Sequence, residues 1–268
     1  MALLTVHLLD QVERIAVAAG EAILAFYHRG FSVTAKEDAS PVTEADLAAN
    51  RLILQELEAL PPRIPVLSEE DIEAFTGADA AGRFWLVDPL DGTKEFIKRN
   101  GEFSVNIALI ENGRPVLGVV VAPVSQSVYL AMHGWGAFKS DTTHSRQAIH
   151  VAQRPEPGVP WRVLVSRSRS PERLQPWIDA LGEHERIALG SSLKLCWIAE
   201  GLADVYPRLG PTSQWDTAAA QAVLEMAGGR VETLTGEPLR YPVPRQLPGD
   251  VLNPDFIAWG GSSATWQK

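Results

Sequence analysis

The run Asp88-Pro89-Leu90-Asp91-Gly92-Thr93 constrains this chain more than any other segment. It follows Phe84-Trp85-Leu86-Val87, an apolar stretch that reads as a buried strand. Pro89 removes a backbone donor and Gly92 permits a sharp turn, so the strand is expected to stop where the two carboxylates stand. Lys94-Glu95-Phe96-Ile97 comes next, and the N–H groups of Gly92 and Thr93 could open a helix there. Hard oxygen ligands beside a candidate phosphate cradle suit magnesium-assisted phosphate hydrolysis.

Two further acidic segments flank this one in sequence. Upstream, Ile64-Pro65-Val66-Leu67 reads as a short strand and leads into Ser68-Glu69-Glu70-Asp71. Downstream, Gln214-Trp215-Asp216-Thr217 precedes the alanine-rich stretch 218–227, a strong helix former that Gly228-Gly229 terminates. Asp216 is therefore expected near a helix N-terminus.

Taken in this order, the three segments resemble the inositol monophosphatase superfamily. Its members show a Glu-Glu pair, then Asp-Pro-(Leu or Ile)-Asp-Gly-Thr, then Trp-Asp before a small-residue helix and Gly-Gly. Ser40-Pro41-Val42-Thr43-Glu44-Ala45-Asp46 matches an earlier element of the family, and the resemblance runs from the first helix to about Asn253. It implies an α/β fold with an α+β N-terminal half, the sugar-phosphatase α-β-α-β-α layered sandwich, and a lithium-sensitive site between the halves. It implies two or more Mg²⁺ ions per site. Glu69 and Asp88 would bind one ion with the Leu90 carbonyl, and Asp88, Asp91 and Asp216 a second. Asp46 and Thr93 would form a catalytic relay. Glu70, beside the direct ligand Glu69, would act through a water.

Taken singly, each carboxylate reads as a helix cap or a strand end, and a capping Asp contributes about 1 kcal/mol. Asp46 has a specific structural reading too, since Thr43-Glu44-Ala45-Asp46 fits a capping-box start for a second helix. Capping and catalysis need not exclude each other. Asp71 reads as a solvated charge.

Substrate choice is read from Lys94 and from the second half of the chain. Lys94 stands where inositol monophosphatases usually carry an uncharged residue, and Asp-Gly-Thr-Lys-Glu-Phe is typical of the nucleotidase branch of the superfamily. Gly190-Ser191-Ser192-Leu193-Lys194 and Tyr206-Pro207-Arg208 place two cations and two hydroxyls on neighbouring elements. Ordinary surface charge and a helix cap are the plain alternatives. A bisphosphate needs cations away from the metals. Ser166-Arg167-Ser168-Arg169 departs from the frequent Ser-Arg-Ser-His of that branch, which leaves the nucleotide contact of Arg169 open.

The resemblance therefore implies a Mg-dependent phosphatase acting on the 3′-phosphate of adenosine 3′,5′-bisphosphate and on 3′-phosphoadenylyl sulfate, by-products of sulfate assimilation. Glu69, Asp91, Gly92, Thr93, Lys94, Arg169, Ser191, Ser192, Lys194, Arg208 and Asp216 would meet the nucleotide. Inositol monophosphate and fructose 1,6-bisphosphate are rival substrates. A catalytically silent phosphate or metal sensor is the rival of another class, and the full set of carboxylates weighs against it.

Composition narrows the rest. A net charge of −9 argues against nucleic acid as the main partner; a small-molecule nucleotide bisphosphate is the partner that the resemblance implies. No histidine pair has zinc-ligand spacing, and no P-loop or dinucleotide fingerprint is present. The one cysteine, Cys196, reads as a small buried hydrophobe and fits a reducing cytoplasm. The early charges Asp10, Glu13 and Arg14 make the N-terminus an amphipathic helix rather than a secretory leader, and no apolar run is long enough to span a bilayer. Peripheral attachment to the cytoplasmic face of an inner membrane and the oligomeric state stay open. Helices are expected over residues 4–28 and 43–60, then strands at 104–110, 117–121 and 128–132, so residues 1–150 read as helices on a largely antiparallel sheet. The polar, proline-bearing stretch 144–160 suggests a boundary near 150. Beyond it, strands at 162–166, 187–189 and 204–209 alternate with helices at 171–181, 192–199 and 215–227, an α/β unit over 151–268 that carries Asp216 and the nucleotide-binding elements.

Overall fold

The computed structural model describes residues 3–29, 32–35, 41–167, 172–247 and 249–261. In chain order the elements begin with α1 (Val6–Arg29), β1 (Val33–Ala35), β2 (Pro41–Thr43), α2 (Glu44–Ala59), β3 (Val66–Ser68), β4 (Arg83–Asp91) and α3 (Thr93–Ile97). The first half closes with β5 (Ser104–Glu111), β6 (Arg114–Ala122), β7 (Ser127–Met132), β8 (Gly136–Ser140) and β9 (Gln147–Ala148). The second half holds β10 (Trp161–Ser166), α4 (Leu174–Asp179), β11 (His184–Leu189), α5 (Leu193–Ala199), β12 (Val205–Arg208), α6 (Ala218–Met226), β13 (Arg230–Thr233) and β14 (Phe256–Trp259).

Successive side chains on a strand point to opposite faces, and that alternation builds the layers. Along β4, Trp85 and Val87 join one apolar core, whereas Phe84 and Leu86 join another. The strand is buried on both sides, which explains its unbroken apolar run. The first core is closed by α1 and α2, whose Leu9, Val12, Ala16, Ala49, Ile53 and Leu57 are fully buried. The second core lies between the two sheets and is filled by α5 and α6, through Leu195, Ile198, Ala219 and Val223. A third cluster seats Leu174 and Ile178 of α4 on Trp161, Val163 and Val165 of β10. The layers therefore run α-β-α-β-α, the sandwich implied by the motifs.

The first sheet has seven strands in the order β3-β4-β5-β6-β7-β8-β9. Only β3–β4 is parallel; the other neighbours pair antiparallel. The second has five strands in the order β11-β10-β12-β14-β13, with β10 parallel to both its neighbours and β14 antiparallel to its own. Among the described residues no helix is long and apolar enough to cross a membrane.

The strand carrying Asp88 ends at Asp91, where the two carboxylates stand, and a register shift between Asp88 and Asp91 absorbs the N–H missing at Pro89. Three local expectations change. The strand expected at 187–189 begins at His184, since six backbone pairings with β10 override the polar, exposed side chains of an edge. The helix expected from Trp215 starts at Ala218: the Asp216 and Thr217 N–H groups close turns onto Ser213 and Gln214 first. The helix expected over 171–181 shortens to Leu174–Asp179.

Gly118 on β6 shows how closely α6 lies on the first sheet. A Cβ there would strike the Ala219 carbonyl oxygen and sit 2.8 Å from the Ala222 Cβ. Overpacking of this kind costs about 1–3 kcal/mol. We therefore expect Gly118→Ala to lower the melting temperature by roughly 2–10 °C for a chain of this size. A thermal melt within a degree of wild type would mean that α6 yields freely.

Candidate active site

The bulged end of β4 is the foundation of the cleft. Asp88 is 1% exposed, and its Oδ1 accepts the Leu90 N–H at 3.0 Å, a bond that spans Pro89. The ladder between β3 and β4 continues one step past Ser68, where Glu69 N–H donates to the Val87 carbonyl at 3.1 Å and brings Glu69 beside Asp88. Asp216 arrives from the other half on the turn before α6, its Oδ2 accepting the Thr212 hydroxyl at 2.6 Å and the Ser213 N–H at 3.0 Å. One carboxylate oxygen each from Glu69, Asp88 and Asp216 lie within 4.8 Å of one another. Asp91 lines the same cleft and accepts the Ser192 N–H.

Such a cluster is electrostatically expensive. Burial pushes the Asp88 carboxyl well above the usual range, and Glu69, Asp91, Asp216 and Glu70 push it further. Burial and Asp216 raise Asp91 to about 7, against the pull of Lys194, the Ser192 N–H and Asn106. Lys194 is lowered to about 8, chiefly by burial and in part by Arg208, while Asp91 draws it upward. One buried ammonium does not balance this many carboxylates. The donors are all hard oxygens, the set that Mg²⁺, Mn²⁺ or Ca²⁺ accepts. The residues present therefore fit a divalent cation.

Asp46 caps α2 and also contacts Thr93. Its Oδ2 accepts the Thr43 N–H at 2.8 Å and the Thr43 hydroxyl at 2.5 Å, completing a capping box at the start of α2. Its Oδ1 accepts the Thr93 hydroxyl at 3.2 Å. One oxygen serves the helix and the other faces the cleft residue. Gly92, which precedes α3, adopts φ +94°, a conformation open to glycine at little cost.

An open cleft of about 200 Å³ brings Glu69, Asp88, Leu90, Asp91, Gly92, Thr93 and Lys94 of the first half to Ser191, Ser192, Lys194, Arg208 and Asp216 of the second. Lys94 is exposed at its rim. Glu70 and Asp46 do not line it, and Arg169 lies outside the described residues. Lys194 does not reach freely for a ligand: its Nζ donates to the carbonyls of Leu189, at 3.3 Å, and Ser191, and lies 5.3 Å from the centre of the Tyr206 ring. Arg208 donates to the Pro211 carbonyl at 2.5 Å and the Tyr206 hydroxyl at 3.4 Å, and its buried Nε has no protein partner among the described residues.

Sequence reasoning passed over Thr212, which holds Asp216, and Asn106, which accepts the Ser192 hydroxyl at 2.7 Å. Asn106 had a signal, being an amide within an apolar strand. Thr212 had none, because its role depends on the turn that precedes α6.

A family model described as the inositol monophosphatase family matches residues 6–259. The chain belongs to that family. It is 49% identical over 251 residues to the 3′(2′),5′-bisphosphate nucleotidase CysQ of Shigella flexneri, covering 93% of this chain and 98% of that protein. The crystal structure of CysQ from Bacteroides thetaiotaomicron, a bacterial member of the family, is 39% identical, with a TM-score of 0.78 over 94% of this chain and 96% of that one. The inositol monophosphatase of Anabaena is 25% identical, with a TM-score of 0.74 over 96% of this chain and 91% of its own.

The raised carboxyls make a linkage prediction. In the cation-free protein the folded Asp91 carries a pKa of about 7 against an ordinary 3.8, so its contribution to stability is intact below 3.8 and is lost as pH rises through about 7. A bound cation favours the ionised form and reverses that loss. The gap in melting temperature between Mg²⁺-loaded and chelated protein should therefore widen from about pH 5 to about pH 7.5. A gap that is flat or narrows would show that the cation is held elsewhere.

Proposed function

We propose that this chain is a magnesium-dependent 3′(2′),5′-bisphosphate nucleotidase that hydrolyses adenosine 3′,5′-bisphosphate to AMP and phosphate and also takes 3′-phosphoadenylyl sulfate. The charge content of the cleft carries the reading: the carboxylates of Glu69, Asp88, Asp91 and Asp216 share it with the cations Lys94, Lys194 and Arg208. Near-full-length similarity to a CysQ nucleotidase supports it. The single thiol, Cys196, is buried, which fits a cytoplasmic protein.

In this reading Glu69 and Asp88 hold one Mg²⁺ with the Leu90 carbonyl, and Asp88, Asp91 and Asp216 hold a second. Bound magnesium supplies the positive charge that neutralises the phosphate dianion and lowers the pKa of the attacking water. The water oxygen bonds to phosphorus, the bond to the 3′ oxygen breaks, and that oxygen takes a proton from solvent and leaves as a hydroxyl. Thr93 Oγ1 takes the proton of the water and passes it along its 3.2 Å hydrogen bond to Asp46 Oδ1. The other Asp46 oxygen, Oδ2, anchors α2. Glu70 acts through a water. Gly92, Thr93 and Lys94 flank the reacting phosphate, and Ser191, Ser192 and Arg208 meet the sugar and the remote phosphate. Lys194 restrains the turn that bears the two serines and offsets the charge of Asp91.

Phosphate release from adenosine 3′,5′-bisphosphate, inositol monophosphate and fructose 1,6-bisphosphate, with and without Mg²⁺, tests the assignment. The bisphosphate nucleotide should give the highest kcat/KM, and chelation should remove activity on all three. A preference for inositol monophosphate would overturn the nucleotidase reading. Asp91→Asn should nearly abolish turnover while the protein stays folded.

Arg208 and Lys194 should separate. Losing one charge-assisted contact costs about 1.5–3 kcal/mol, roughly tenfold to over a hundredfold in affinity. Arg208→Ala should raise KM for adenosine 3′,5′-bisphosphate on that scale and leave KM for a simple monophosphate nearly unchanged. Lys194→Ala should weaken both substrates, because its ammonium acts on Asp91 and on the serine turn. Equal losses in both variants would assign Arg208 to the fold.

A further inference from the structure

One carboxylate outside the cation cluster stands between the two turns that face the cleft. A Cβ on Gly92 would lie 3.1 Å from the Glu102 carbonyl oxygen. A Cβ on Gly190 would lie 2.7 Å from that same oxygen and 2.9 Å from the Glu102 Cβ. Glycine on both sides is what allows residue 102 to fit. Its side chain then crosses to the second half of the chain. Oε2 accepts the Gly190 N–H at 2.8 Å and Arg167 Nε at 2.7 Å. Oε1 accepts Arg167 Nη2, which also donates to the Ala188 carbonyl at 2.8 Å.

This fork grips the end of β11 from two directions. The turn Gly190–Ser192 leaves the strand at that point. Ser191 holds φ +50°, which non-glycine residues keep only where their surroundings enforce it. The Ser192 N–H meets Asp91, and its hydroxyl donates to Asn106 Oδ1 at 2.7 Å. Arg167 is 42% exposed and Glu102 20% exposed, so the ion pair adds little to global stability. Its bidentate geometry instead supplies direction.

We infer that Glu102, held by Arg167, is a positioning residue that fixes the 190–192 turn, so that Ser191 and Ser192 meet the substrate and the Ser192 N–H meets Asp91. The inference rests on the nucleotidase reading of the same cleft. Glu102 acts through the turn and touches no reacting atom. Truncating it should loosen substrate binding more than it slows the chemical step.

The test has two arms, run on full-length Glu102→Ala, Glu102→Gln and Arg167→Ala proteins. In the first, hydrogen–deuterium exchange of the segment 188–193 should quicken about tenfold in Glu102→Ala, the scale of one lost charge-assisted hydrogen bond, while the rest of the chain keeps its protection. In the second, KM for adenosine 3′,5′-bisphosphate should rise about tenfold with kcat lowered no more than about threefold. Glu102→Gln keeps an acceptor for the Gly190 N–H and should recover part of both effects, with Arg167→Ala intermediate. Unchanged exchange at 188–193, or faster exchange with an unchanged KM, overturns the inference, as does a loss of protection spread over the whole chain in both alanine variants. If wild-type protein fails to hydrolyse the bisphosphate, the nucleotidase reading falls, and the exchange arm alone decides whether the clasp exists.

Discussion

Several carboxylates converge at the end of one bulged strand, and much of the molecule is arranged around that repulsion. Asp88 is buried, and the charges of Glu69, Asp91, Asp216 and Glu70 all work against its ionisation. No local segment could hold these groups together, because the cost falls on whatever brings them near one another. They come instead from β3, from β4 and from the turn before α6, each anchored in an apolar core that the charges do not enter. Folding energy from the two cores sets the site in advance, and a divalent cation is the partner that turns the strain into affinity.

The bulge between Asp88 and Asp91 is the hinge of this arrangement. A regular strand would send residues 88 and 90 to one face and residues 89 and 91 to the other. Slipping the register across Pro89 lets both aspartates address the same cleft. Gly92 then turns the chain sharply enough for Thr93 to reach Asp46 on α2. Asp46 is thereby tied to two helices at once, and its hydrogen bond with Thr93 inherits the rigidity of a capped helix end.

The middle helical layer is shared by both sheets, which is why neither half supplies a site alone. α6 lies on β6 with no room for a Cβ at Gly118, so Asp216, just before that helix, is located by the first sheet although it belongs to the second half of the chain. The turn before α5 repeats the pattern. It is restrained by Lys194 from its own side and by Glu102, Asp91 and Asn106 from the other.

Much of this is legible in the chain itself. Phe84–Val87 announces a strand buried on both faces, the periodicity of residues 4–28 announces α1, and the pattern at Thr43–Asp46 announces the capping box that α2 carries. Asp88, Asp91, Glu69, Asp216 and Thr93 are legible because their chemistry is carried in short motifs: a turn residue, a hard ligand and a strand end lie within a few positions of each other. Features that depend on partners distant in sequence are not. The register shift that carries β4 past Pro89 to Asp91 depends on its pairing with β5. His184–Arg186 lacks any apolar signal and becomes a strand because β10 supplies the hydrogen bonds. Lys194 reads as a free cation and is spent largely on carbonyls of its own turn. Glu102 reads as nothing at all, since its meaning lies in two glycines that approach it from different halves. Sequence alone determined which groups could do the chemistry, because residue type and local spacing set ligand hardness and backbone turn. Tertiary structure decided which of those groups face one another and which are consumed in holding the others still, because only packing across the two sheets sets distances between segments far apart in the chain.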